Sequence, residues 1–298
     1  MPINISPIHT IEIASLNQLC DQVTRLQEAC NSPFWFRGHS RSRYALVPAV
    51  HRDHLPMGET NLCTLFMQKA QTRRASCPNQ TDMGGWLALM QHYGLPTRLM
   101  DWTESSAVAA YFATETNPTE DGNIWLLIPM LLAQSVGYDG VPSMFHSLIT
   151  PLLNAAFDRR QPREKLVYPV IPMECDPRMM VQQGVFTIHG DPTPLDQFPK
   201  APEFLVRLHI PARAKANFQR DLAAFGIDRI RLFPDLQNLS YALVKTELTR
   251  WNTPGIPPPP PAAPPAPPVP TTPPLPAGYS TGRADIRDGT IPLDFGPK

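Results

Sequence analysis

Apolar positions along the chain switch between two periods, and each switch marks an element. Leu16, Leu19, Cys20, Val23, Leu26 and Cys30 recur every three or four residues, which predicts an amphipathic helix. Ser15 opens it as an N-cap, with Gln18 completing a capping box. The period then drops to two in "FWFRG", where Phe34 and Phe36 share one face of a strand and Trp35 and Arg37 the other. Helices are predicted over 61–74, over 83–93 with Gly94 just past the end, and from an N-cap at Thr103 to about 116. Further helices are expected over 143–157, 212–225 and 235–249. Strands are predicted over 123–128, 165–171, 178–188 and 203–210, with proline-containing ones at an edge. The strands cluster rather than alternating with helices, so the fold class read here is α+β: a mixed or antiparallel sheet core flanked by helices.

Composition redraws the boundary of that fold. Fourteen of the 37 prolines fall between Pro254 and Pro276, a stretch with few backbone donors and locked φ angles. It predicts an extended, solvated tail, and the mixed-charge, glycine-bearing end "AGYSTGRADIRDGTIPLDFGPK" predicts disorder with room for a short interaction motif. One domain over 1–250 and a Pro-rich tail over 251–298 follow. Lys plus Arg and Asp plus Glu are 26 each, so no overall field favours nucleic acid. The five scattered cysteines form no CxxC pair, which argues against a zinc cage and for thiols in a reducing cytoplasm. The N-terminus lacks a basic start and an apolar stretch, and the most apolar run, Ile124–Ala133, is half a membrane span. A cytoplasmic protein without membrane contact is the expectation.

Candidate chemistry concentrates in two segments. Arg37 ends an aromatic strand beside Gly38, which lets a backbone or a ligand come close. A partly buried guanidinium needs a carboxylate, a phosphate or several carbonyls. An internal ion pair with Asp101 and an anion site are both open readings. The second segment, "QHYGLPTRLMDWTE", gathers His92, Arg98, Asp101, Trp102, Thr103 and Glu104, and reads as a loop between two helices. Thr103 at a helix start would add free N–H groups that favour an anion. The two segments are expected to meet in one polar pocket. His51, Asp53 and His54 read as a solvated turn rather than a metal pair, and no other metal set is evident.

Phe36-Arg37-Gly38, then Gly94 to Leu99 with Asp101-Trp102-Thr103, then the helix ending Ala110-Tyr111-Phe112-Ala113, resemble the FRG domain, a family of mostly bacterial and phage-associated proteins. The segments 181–190 and 226–236 are similar to its closing parts, and Met100 and Ser106 depart from its pattern. More distantly, the order of these motifs is similar to the NAD-binding core of ADP-ribosyltransferases. That resemblance implies that Arg37 holds the phosphates or ribose of NAD and that residues 101–105 replace a Ser/Thr motif. Gln182 and Gln183 fall where a catalytic glutamate stands, and a neutral amide cannot stabilise a ribosyl cation as a carboxylate does. Alternation along the 178–188 strand turns Gln182 inward and Gln183 outward. The implied site therefore comprises Arg37, Asp101 and Gln182 for chemistry, with Phe36, Gly38, His92, Arg98, Trp102, Thr103, Glu104 and Gln183 for binding. Two functions stay open: ADP-ribosyl transfer or NAD cleavage, and a nucleotide-sensing module that signals through a protein partner on the proline tail.

Overall fold

The period-two runs lie at the centre of the computed structural model, which describes residues 8–52, 58–161, 164–173 and 176–251. Among the described residues seven strands form one sheet: β1 (His9–Glu12), β2 (Trp35–His39), β3 (Leu99–Thr103), β4 (Gly122–Leu127), β5 (Val167–Val170), β6 (Gly184–His189) and β7 (Leu205–Ile210). Their spatial order is β1-β7-β4-β2-β3-β6-β5, with β1 parallel to β7 and every other pair antiparallel. The α+β reading and its mixed sheet hold. Pro169 sits in β5 at the sheet edge, where a missing N–H costs no ladder bond.

The helices are α1 (Leu16–Cys30), α2 (Ala49–Arg52), α3 (Gly58–Ala70), α4 (Met83–His92), α5 (Ser106–Thr114), α6 (Pro129–Ser135), α7 (Thr150–Phe157), α8 (Pro177–Gln182), α9 (Ala201–Phe204), α10 (Lys215–Ala224), α11 (Arg229–Leu232) and α12 (Leu236–Trp251). Ser15 caps α1 through Gln18 N–H at 3.2 Å, while the Gln18 side chain accepts from Ala14 N–H, one residue before the cap. Gly94 follows α4 at φ +76°, the left-handed conformation that glycine adopts without strain.

Register assigns the two faces. Phe36 opposes Thr103, so Phe36, Thr103, Asp101 and Leu99 look the same way. On that face two apolar clusters stand side by side. One packs Phe34, Phe36, Ile124, Leu126 and Leu208 against α1, α5 and α10. The other packs Leu99, Tyr168, Phe186 and Ile188 against α3, α4 and α7. The opposite face buries Trp35, Met100, Trp102, Trp125 and Val185 under α6 and α9.

Three expectations need correction. Residues 99–103 are not a loop but β3, because Leu99, Met100 and Trp102 alternate between two buried faces. Ser105, not Thr103, caps α5, through Val108 N–H at 3.3 Å. Residues 178–188 are not one strand: Asp176 as N-cap and Pro177 at the first helical position start α8, and Gln183, at φ +48°, ends it before β6. The proline-rich tail, Asp53 and His54 lie outside the described residues. Among the described residues no helix is long and apolar enough to cross a membrane.

Candidate functional site

The site begins where the sheet parts. β2 pairs with β4 along its whole length, from Trp35–Leu127 to His39–Asn123, but meets β3 only at Phe36–Thr103. Continuing that register would set Gly38 opposite Asp101. The strands instead diverge, and the Arg37 side chain fills the gap. Its Nη1 donates to the Asp101 carbonyl at 2.5 Å, satisfying an acceptor that the interrupted ladder leaves open. Nη1 also lies 3.8 Å from Asp101 Oδ2. Nε donates to His39 Nε2 at 3.0 Å, and the His39 Nδ1–H in turn donates to the Tyr44 carbonyl at 3.2 Å. Nη2 has no protein partner among the described residues.

A cavity of about 400 Å³ opens beside this arginine, between the two apolar clusters that share the sheet face. Phe36, Gly38, Asp101, Thr103, Gly184 and Phe186 form its floor, while Gln91, His92, Phe112, Glu115, Arg178 and Gln182 form its walls. Tyr44 and Arg52 stand at the side where β2 ends. The volume lies within the range of small-molecule sites. Arginines therefore outnumber carboxylates around it, and aromatic rings separate them.

The Asp101 carboxylate is 58% exposed, steadied by Gln91 Nε2 at 2.9 Å, and Gln91 Oε1 accepts from Thr97 Oγ1 at 2.6 Å. Burial lowers the Arg37 guanidinium to about 10, with Asp101 opposing and Arg52 adding to the drop, so it stays charged at neutral pH. His92 Nδ1 lies 2.7 Å from Asp176 Oδ2. Arg178 stacks 4.7 Å from the centre of the Phe233 ring, which Arg229 also faces at 5.0 Å and which meets Phe112 edge-on. Arg229 pairs with Glu115, so that wall acid is already neutralised. Behind the loop after β2, the buried Lys215 ammonium donates to the carbonyls of Ser40, Thr116 and Asn117 and ties that loop to the end of α5.

Of the predicted site residues, Arg37, Asp101, Phe36, Gly38, His92, Thr103 and Gln182 border one cavity. Trp102 borders it as well, but its indole is buried against the opposite face and donates to Thr187 Oγ1 at 3.0 Å. Thr103 donates to the Gln182 carbonyl at 2.6 Å and so fastens β3 to α8, rather than offering helix N–H groups to an anion. The Gln182 amide donates to the Leu232 carbonyl at 2.9 Å, which reserves it for holding α11. Arg98 does not reach the cavity: it is buried with Glu59, Nη2 to Oε2 at 2.6 Å, and donates to the Leu152 carbonyl at 2.8 Å. Glu104 is exposed and Gln183 turns its carbonyl to Glu104 N–H, so neither lines the cavity.

Sequence reasoning missed His39, Gln91, Asp176 and Arg178. Asp176-Pro177 is a legible helix start, and reading it would have put Arg178 and Gln182 on one short helix. His39 and Gln91 carry no local signal, since only the parted sheet and the packing of α4 give them a role.

His39 and His189 make the fold acid-sensitive. His39 is held down to about 3 by burial, then by Arg37 and Arg52, and His189 to about 3 by burial, then by His51 and Arg37. Both are neutral in the fold, whereas the unfolded chain takes up protons near the ordinary value of 6.5. Stability is therefore complete above pH 6.5 and lost as pH falls towards 3, with a slope approaching about 3 kcal/mol per pH unit for two sites. Urea midpoints from pH 7.5 to pH 4.5 read this directly. His39→Gln should remove close to half of the slope, and midpoints that stay flat from pH 7 to pH 5 would contradict the assignment.

No curated protein and no solved structure matches the chain. A protein-family model does, over residues 32–122, a stretch that takes in Arg37, Gln91, His92 and Asp101. The parted strands, the arginine between them and the carboxylate it faces thus all lie in the stretch that matches the FRG domain.

Proposed function

We propose that this cavity binds a nucleotide of the NAD type and that the protein cleaves it, by ADP-ribosyl transfer or by hydrolysis of the N-glycosidic bond. The observation that carries the reading is the guanidinium of Arg37 with an open Nη2 beside a half-exposed Asp101 carboxylate in one aromatic-walled cavity. A ligand with phosphates at one end and a cationic ring at the other complements that charge pattern. Arg37, Arg52 and Arg178 would meet the phosphates. Asp101 would face the ribose, where positive charge develops as the bond to nicotinamide breaks and the electron pair leaves with the ring nitrogen. The acid that Gln182 cannot supply is then Asp101, since Gln182 is held by Leu232.

The same geometry favours a second reading in one respect. Arg37 already offsets part of the Asp101 charge and Gln91 occupies one of its oxygens, as suits a module that binds a nucleotide without cleaving it and signals to a protein partner. In this reading the proline-rich segment of the sequence, from about residue 251, would dock that partner. A cytoplasmic setting in conflict between bacteria and phage fits both, and neither calls for a metal or a membrane.

Purified protein incubated with NAD should release nicotinamide, and titration calorimetry should give a dissociation constant. Arg37→Ala should weaken NAD by about tenfold to a hundredfold, the value of one or two charged hydrogen bonds. Binding without nicotinamide release would favour the sensing module. Parent-like binding by Arg37→Ala, with the fold intact by melting, would refute both readings.

A further inference from the structure

We propose that His92, oriented by Asp176, is the base of this cavity: its Nε2 takes the proton of the water or hydroxyl that attacks a ligand held at Arg37 and Asp101. This rests on the nucleotide reading of the cavity and adds to it the group that handles the acceptor.

The geometry is that of an imidazole backed by a buried carboxylate. Asp176 Oδ1 accepts from the backbone N–H of Arg178 at 2.7 Å and of Met179 at 3.2 Å, as the N-cap of α8. Oδ2 makes no aligned hydrogen bond, but it lies 2.7 Å from His92 Nδ1 as a close ion-pair contact, with the Asp176 side chain only 8% exposed. A carboxylate oxygen that close repels a bare nitrogen lone pair and attracts an N–H, so the contact favours the hydrogen on Nδ1 and leaves Nε2 its lone pair. Nε2 has no protein partner among the described residues, on a residue that lines the cavity. Gln91, the residue before it on α4, holds the Asp101 carboxylate, so neighbouring positions of one helix address the acceptor and the ribose. The Tyr93 ring packs edge-on against the imidazole at 4.8 Å and limits its rotation.

Burial, more than charge, holds the ring in the neutral form a base needs. Burial lowers the His92 value below 6.5, with Arg178 and Arg74 lowering it further, against Asp176 and Asp235, which raise it. In hydrolysis the bond from C1′ to the nicotinamide nitrogen breaks with its electron pair on that nitrogen. The water oxygen bonds to C1′, and its proton passes to Nε2. The imidazolium so formed faces Asp176 and returns the proton to solvent, so one proton is released for each NAD cleaved. With a hydroxyl acceptor the bookkeeping is the same.

The test compares the parent with Asp176→Asn and His92→Gln in the full chain. Asparagine preserves the N-cap of α8 but turns an N–H towards His92, which should move the ring to its Nε2–H form. Nitrogen-15 spectra should show the Nδ1–H tautomer in the parent and the other in Asp176→Asn. Nicotinamide release should fall by about a hundredfold or more in both variants, with NAD affinity kept. The parent rate should fall on acidification below pH 6.5, and His92→Gln should lack that limb. A parent His92 in the Nε2–H form, variants that release nicotinamide at the parent rate, or a parent that binds NAD without cleaving it would each overturn the base. A parent that does not bind NAD defeats the nucleotide reading and removes the ligand for this base, while the tautomer spectrum still decides whether Asp176 orients His92.

Discussion

Glu59→Ala should lower the stability of the domain by about 3–5 kcal/mol, because it strands the buried Arg98 guanidinium without its counter-ion. The two Glu59 oxygens take Arg98 Nε at 3.1 and 3.0 Å, Nη2 at 2.6 Å and the Arg98 backbone N–H at 2.9 Å, with both side chains 8% exposed. The remaining bond, from Nη1 to the Leu152 carbonyl, brings no counter-charge. The pair also holds the entry to β3, three residues before Asp101, so damage should reach the cavity. Denaturant midpoints should show the loss, and Arg98→Ala should cost as much. Replacing both partners by apolar residues of similar volume should restore much of the stability, since the penalty lies in the unpaired charge. A loss below about 1 kcal/mol for either single variant would show that water reaches the pair and that Arg98 is free to serve a ligand.

Gly38→Ala should be almost as damaging, at about 3 kcal/mol or more. A Cβ there would stand 2.0 Å from the Ala109 carbonyl oxygen and 2.6 Å from the Ala113 nitrogen, both backbone atoms of α5 that no rotamer change can move. The neighbour that glycine was expected to admit, a backbone or a ligand, is thus a helix backbone. The small Ala109 and Ala113 side chains are what bring α5 this close. Gly94→Ala is the comparison: φ is +76° but nothing lies within 4 Å, so only the backbone cost of about 1 kcal/mol applies. Equal melting temperatures for the two variants would contradict the close approach of α5 to β2.

Local patterns settled the elements whose neighbours in sequence are also their neighbours in space. The cap at Ser15 and the stripe from Leu16 to Cys30 specify α1 with no help from the rest of the chain. The alternation of Phe34 to Arg37 specifies β2, and Pro169 places β5 at an edge. The FRG motifs were legible as well, and so was the meeting of Arg37 with Asp101, since two semi-buried charges of opposite sign need each other.

What the tertiary structure alone decided is how those charges divide between scaffold and cavity. Arg98 and Asp101 are three residues apart in one motif, yet one is sealed against Glu59, 39 residues away, and the other is half exposed. The cause is the pleat of β3 combined with the packing of α3 and α4, which only register and burial reveal. His92 depends likewise on Asp176, and His39 on the parting of β2 from β3. A chain records each side chain's period and chemistry locally, but a charge's role depends on its partner and its access to water, and both are set by contacts between distant segments.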